Sequence, residues 1–330
     1  MQRKKINWIS ILQGWAMLWV VVGHSFIGSA DHPEMWPLYV RVLYKFAYSF
    51  HMALFMFTSG YLFFMTRLAD GENKWPYQKV IVDKAKRLLL PGIVFSLLAF
   101  ILKIAFPAEM SRKVGIGFQD IMHMILYPHD NPLREMWFIV TLFWMFIFTP
   151  LWRWSLKDKW KMVATIILLV IVHFIHPHVR FLCIGRFFSF AIWFYWGVLM
   201  CCTRVIDEVL QKKSYLFLLA GIIIYAIGFK TIPECKIIGG IILSTGLALI
   251  FDRYTPKIFA GFRNYTYQIF LMGIFCQIFV KILYSHISMP YLMAYILCIV
   301  AGLYIPVFIS KLIEKTNYRP LLYCVGLKPS

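Results

Sequence analysis

The residues of this chain that could do chemistry are few, and they sit at isolated points in long apolar stretches. His24 follows Trp19-Val20-Val21-Val22-Gly23 and precedes Ser25. A neutral imidazole takes a proton from a hydroxyl and returns it near pH 7, so His24 is a candidate general base. The alternative is a histidine that hydrogen-bonds a neighbouring helix or interfacial water; spacing alone leaves both open. Gln13 lies eleven residues earlier, close to three helical turns, so both project from one face. That face then carries polar groups at two depths, as a cavity-lining helix does, unless Gln13 serves only as an interhelical hydrogen bond. His51 opens the next apolar stretch and either faces His24 across a helix pair or rests at the interface beside Tyr48 and Phe50.

A second group is basic. Lys84, Lys86 and Arg87 precede Pro91 at the start of a third apolar stretch. Such a cluster suits a phosphorylated ligand, and equally an anchor to anionic lipid. Trp137 and Phe138, after Glu135, read as an interfacial belt. Arg180 and Arg186 either contact an anionic acceptor or pair with carboxylates. The segment 107–134, with Pro107, Asp120, His123, His129 and Asp130, either caps a cavity or is a solvated connection. No glycine-rich phosphate loop, Ser-His-Asp order or metal-ligand spacing occurs, so no metal is expected. The seven cysteines show no disulfide framework.

The elements that must position these residues are membrane helices. Of 330 residues, 61% are hydrophobic, and the mean hydropathy is +0.70. A soluble domain is about half apolar. Apolar stretches centre near 8–28, 44–66, 88–106, 136–152, 162–177, 187–202, 215–230, 236–251, 266–284 and 290–312. Most approach the roughly 20 residues a spanning helix needs, and a helix satisfies its own backbone in lipid. The expected fold is an all-α polytopic bundle of about ten transmembrane helices, forming one domain over 1–330. The spans at 162–177 and 236–251 are the weakest; the second carries several glycines.

The net charge of +19 would suggest nucleic acid in a soluble protein. Here Lys and Arg fall in short loops. With the N-terminus in the cytoplasm they favour that side by roughly two to one, which gives an N-in, C-in orientation and no nucleic-acid partner. Arg3, Lys4 and Lys5 precede the first stretch with no small-residue cleavage site after it, so it reads as a retained helix. In this orientation His24 lies roughly 25 Å along the helix from Trp8, towards the outer face. The basic cluster then lies at the cytoplasmic face.

The run Ile6-Asn7-Trp8-Ile9-Ser10-Ile11-Leu12-Gln13-Gly14 leading to Val20-Val21-Val22-Gly23-His24-Ser25 resembles the first helix of the membrane acyltransferase-3 family. His51-Met52 with Phe55 and Ser59-Gly60-Tyr61, Lys84-Ala85-Lys86-Arg87-Leu88 with Pro91, Trp137-Phe138 and Gly197 follow in the family's order. The resemblance implies a ten-helix core in the cytoplasmic (inner) membrane. That core takes an acyl group, often acetyl, from acyl-CoA and passes it to a hydroxyl of a surface polysaccharide or lipid-linked glycan. It implies His24 as the catalytic histidine; in an acyl transfer of this kind Gln13 and His51 would orient the reacting groups. It also implies Lys84, Lys86 and Arg87 near the donor. Two positions depart from the pattern. Gln13 stands where the family has a basic residue, and the late Ile269-Phe270-Leu271-Met272-Gly273 lacks the histidine often found there. A glycan or lipid transporter is the alternative reading; inverted repeats and broken helices, which mark many transporters, are not evident in the sequence.

Overall fold

A computed structural model describes residues 7–29, 32–106, 115–175, 177–204 and 211–328. Arg3, Lys4, Lys5, Ile6, Pro107 and His176 lie outside the described residues. The described chain is all-α, without strands. Its helices are α1 (Asn7–His24), α2 (Leu38–Phe63), α3 (Gly71–Lys74), α4 (Tyr77–Lys84), α5 (Leu90–Ala105), α6 (Phe118–Leu126), α7 (Met136–Ile147), α8 (Thr149–Ser155), α9 (Lys159–Ile175), α10 (Ile184–Cys202), α11 (Ser214–Ile227), α12 (Pro233–Tyr254), α13 (Thr266–His286), α14 (Tyr291–Thr316) and α15 (Arg319–Cys324).

Each of the ten apolar stretches is helical. Among the described residues five helices are long and apolar enough to cross a membrane: Tyr77–Ala105, Phe181–Cys202, Pro233–Tyr254, Thr266–His286 and Tyr291–Thr316. A sixth is added if Met136–Ile147 and Thr149–Ser155, bent by 49° at their break, count as one span. Pro150 sits in the first turn after that break, where its missing N–H ends the preceding ladder. The other stretches fall short because they are shorter, as in α9 and α11, or because polar residues such as Gln13 in α1 and Ser49, His51 and Ser59 in α2 dilute them.

The chain forms two compact units, one of 1–58 with 203–315, the other of 59–202 with 316–330. In the first, α1 packs on α12 and α13, and α11 pairs closely with α12. Gly239 permits that pairing, because a methyl group there would meet the Tyr225 backbone. The glycines that weaken 236–251 as an apolar stretch are thus what lets α12 bury its face. In the second unit, α10 packs on α7 and α9. Gly60 lies against the Phe194 backbone carbonyl, the close approach expected of Ser59-Gly60.

Among the described residues two π-helical turns occur, both in the second unit. Phe64–Leu68 extends α2, and Ala85–Leu89 joins α4 to α5 into the single helix Tyr77–Ala105. The second has a local cause. Pro91 has no N–H, and its ring would press on the carbonyl four residues back, at Arg87; widening the turn relieves both.

Candidate functional site

His24 is the last residue of α1, so it sits where backbone carbonyls have no partner within the helix. Side chains of α13 and α14 supply those partners. Gln277 Nε2 donates to Val21 O and to Ser25 Oγ, each at 2.9 Å. Tyr295 OH donates to Val22 O at 3.2 Å. Lys281 Nζ donates to His24 O at 2.9 Å and lies 4.6 Å from the centre of the Phe26 ring. A cation at a helix C-terminus is also favoured by the helix dipole. Just beyond the helix, Tyr291 OH bonds Ile27 O at 3.2 Å. Four helical side chains therefore fix the backbone that carries His24.

The imidazole itself is half-buried. Its Nε2 lies 3.3 Å from Tyr48 OH, with the ring centres 5.7 Å apart. Tyr48 in turn meets His51 edge-on, ring centres 5.0 Å apart. His51 is 2% exposed, and its Nδ1 lies 2.6 Å from Ala47 O. A carbonyl can only accept, so Nδ1 carries a hydrogen and, in the neutral ring, Nε2 is left with its lone pair. The structure brings His24 and His51 together through Tyr48. Gln13 is half-buried on the same side of α1, about 16 Å along the axis from His24, and it makes no hydrogen bond among the described residues. Next to it, Gly14 packs against Phe259 and Arg263.

The basic cluster belongs to the second unit, and its three members differ. Lys86 and Arg87 are exposed on the Ala85–Leu89 π-turn. Lys84 is half-buried, its Nζ 4.1 Å from the centre of the Phe146 ring and 5.6 Å from that of Phe63. Among the described residues no carboxylate pairs with Lys84, so the ammonium rests on aromatic faces. Beside it, Arg67 on the other π-turn bonds Asp83 at 3.1 Å and stacks over Trp75 at 3.5 Å. Arg67 is 9% exposed, yet its Nη1 has no partner among the described residues. A buried guanidinium nitrogen without an acceptor is costly. The Trp75 loop is held in turn by Arg153, which donates to Trp75 O and pairs with Glu72 at 3.4 Å.

Sequence reasoning gives no role to Arg67, Gln277 or Lys281. Lys281 was legible in principle, as an ionisable residue inside an apolar span is a candidate by default. Arg67 and Gln277 carried no local signal, because their partners are remote in sequence or on a neighbouring turn.

A family model for an acyltransferase domain matches residues 6–312. No curated protein and no solved structure matches the chain.

Proposed function

Since the chain belongs to the acyltransferase-3 family of membrane acyltransferases, we propose that it moves an acyl group, acetyl in the simplest case, from acyl-CoA to a hydroxyl of a surface polysaccharide or lipid-linked glycan. The bundle crosses the cytoplasmic membrane about ten times with both termini inside. The observation that carries the reading is the His24 imidazole, held on a backbone fixed by Gln277, Lys281 and Tyr295 with Nε2 beside the Tyr48 hydroxyl.

The donor's phosphates bind the guanidinium and ammonium groups of Arg67, Lys84, Lys86 and Arg87. An acceptor hydroxyl takes the place of Tyr48 OH against His24 Nε2. As its proton passes to Nε2, the oxygen attacks the thioester carbonyl. A C–O bond forms, the tetrahedral intermediate collapses, and the C–S bond breaks. The CoA thiolate leaves with the electron pair and takes the proton from the imidazolium, which restores neutral His24. A thiolate is a good leaving group, so one base suffices. With its hydroxyl displaced, Tyr48 still lies ring beside ring with the imidazole, and His51 backs the Tyr48 ring edge-on. Gln13, three turns away, hydrogen-bonds the acyl chain or pantetheine amide on its way to the base.

His24→Ala is expected to lower acyl-ester content of the surface glycan, and turnover by purified protein, by about 100- to 10,000-fold. Mass spectrometry of the glycan from cells making the variant at normal level measures this. Unchanged acylation at that level sinks the proposal.

A further inference from the structure

The second unit holds a cleft that the acyl-transfer site does not use. Its volume is about 480 Å³, within the range of small-ligand sites. In a chain this apolar its lining is unusual: His129, Asp130, Arg134, His178, Arg180 and Arg186 all face it. The charges do not cancel. Asp130 is taken by Arg180, which holds both its oxygens at 2.8 and 2.9 Å. Arg186 lies over the Trp137 ring, 5.1 Å from its centre, and Trp137 is stacked on His129 at 5.8 Å. Among the described residues neither Arg134 nor Arg186 has a carboxylate partner. Two guanidinium groups therefore face one cleft uncompensated. Burial and the nearby Arg186 and Arg180 hold His129 below the usual histidine range, which fits a site of positive potential.

The backbone is built to aim these groups. Leu182 and Cys183 adopt φ of 45° and 59°, the left-handed region that side chains seldom occupy. Such a turn persists where its surroundings hold it. Trp144 Nε1 donates to Leu182 O at 2.8 Å, and Gly185 N donates to Val179 O at 2.9 Å. At Gly185 a methyl group would run into the carbonyl of Pro177, so only glycine lets the 177–180 segment fold onto the start of α10. This fold brings Arg180 and Arg186, on either side of the turn, to the same cleft.

We propose that this cleft binds an oxyanion of the acceptor, a carboxylate or phosphate carried on the sugar, so that the enzyme acts on an acidic glycan. The inference rests on the acyl-transfer reading for its acceptor. The recognition chemistry is its own: arginine forks suit planar carboxylate and tetrahedral phosphate, bound by paired hydrogen bonds.

The test uses the full chain in nanodiscs of neutral lipid, without acyl-CoA. Calorimetry compares an oligoglucuronate, a neutral oligoglucose of equal length, and inorganic phosphate. The oligoglucuronate is expected to bind more tightly than oligoglucose, and phosphate to compete with it. Arg134→Gln and Arg186→Gln are each expected to weaken oligoglucuronate binding by at least about tenfold and to leave oligoglucose unchanged. Arg134→Lys, which keeps charge but loses the fork, is expected to fall between; it replaces the glutamine variant if that one does not fold. Equal affinity for the two oligosaccharides, or no loss in either variant, overturns the proposal. A second arm repeats the titration in nanodiscs of anionic lipid. If the lipid abolishes oligoglucuronate binding, the cleft takes a lipid headgroup and the acceptor assignment is overturned; undiminished binding supports it. Binding is read without turnover, so charged-sugar binding by a protein that transfers no acyl group would break the acyl-transfer reading alone.

Discussion

The two units hold their polar residues by opposite means. Around His24 the partners are mostly uncharged and aimed at backbone: the Gln277 amide, the Tyr291 and Tyr295 hydroxyls and the Lys281 ammonium all bond carbonyls of one short stretch. Around Lys84 and Arg67 the cations rest on ring faces, Phe146, Phe63 and Trp75; Arg67 lies on one widened π-turn and Lys84 immediately precedes the other. The contrast teaches which property each place protects. On the proposed reading, a base must be held within a fraction of an ångström of the proton it moves, and the helix end that carries His24 is clamped from outside. By the same proposed reading, a cation that binds phosphate must keep its charge available, and Lys84 is packed against ring faces without a carboxylate partner among the described residues. Among the described residues Asp83 is the one carboxylate paired with Arg67, and Arg67 Nη1 has no partner there.

Three substitutions would break or sharpen that contrast. The largest effect is expected for Lys84→Gln, which removes the cation and leaves a shorter, neutral polar side chain. It should raise KM for acyl-CoA by about 10- to 100-fold, the worth of one charged hydrogen bond, with kcat nearly unchanged. Initial rates at varied acyl-CoA measure the split; a fall in kcat alone would place Lys84 in the chemistry instead. Gln277→Leu should act on stability first. It leaves the Val21 carbonyl without its outside donor, at about 1–3 kcal/mol, and should lower both the melting temperature in detergent and kcat. If the melting temperature falls while kcat holds, the clamp supports the fold and not the base. The smallest effect is expected for Gln13→Ala, which loses no hydrogen bond seen in the structure. Stability should stay within about 0.5 kcal/mol, and kcat/KM should fall only a few fold, read in the same rate assay. A loss as deep as that of His24→Ala would put Gln13 at the reacting atoms.

How much was legible in the sequence follows residue by residue. Every apolar stretch is helical, because apolar length is local and lipid leaves the backbone no other solution. His24 and His51 stood out as polar residues in apolar surroundings, and so did the run around Lys84. The ring of Tyr48 between the two histidines was not legible, since an aromatic near an interface has an ordinary packing role. Nor was the difference between Lys84 and its neighbours Lys86 and Arg87. A helical projection puts Lys84 about 200° from Lys86, but it does not show that the rings of Phe63 and Phe146 are what Lys84 meets.

By itself, then, the sequence determined an all-helical membrane chain, the family it belongs to, and the handful of residues able to move a proton or hold a phosphate. Composition and the spacing of rare polar residues are properties of the chain alone. Only the tertiary structure decided which of those residues have partners. Gln277 reaches Val21 across 256 positions, and Lys281 reaches His24 across 257. The cleft between Arg134 and Arg186 exists because a strained turn at Leu182 and Cys183 is held from outside by Trp144. Hydrogen bonds and charge act over a few ångströms of space, and distance along the chain does not reveal which groups packing will bring within reach.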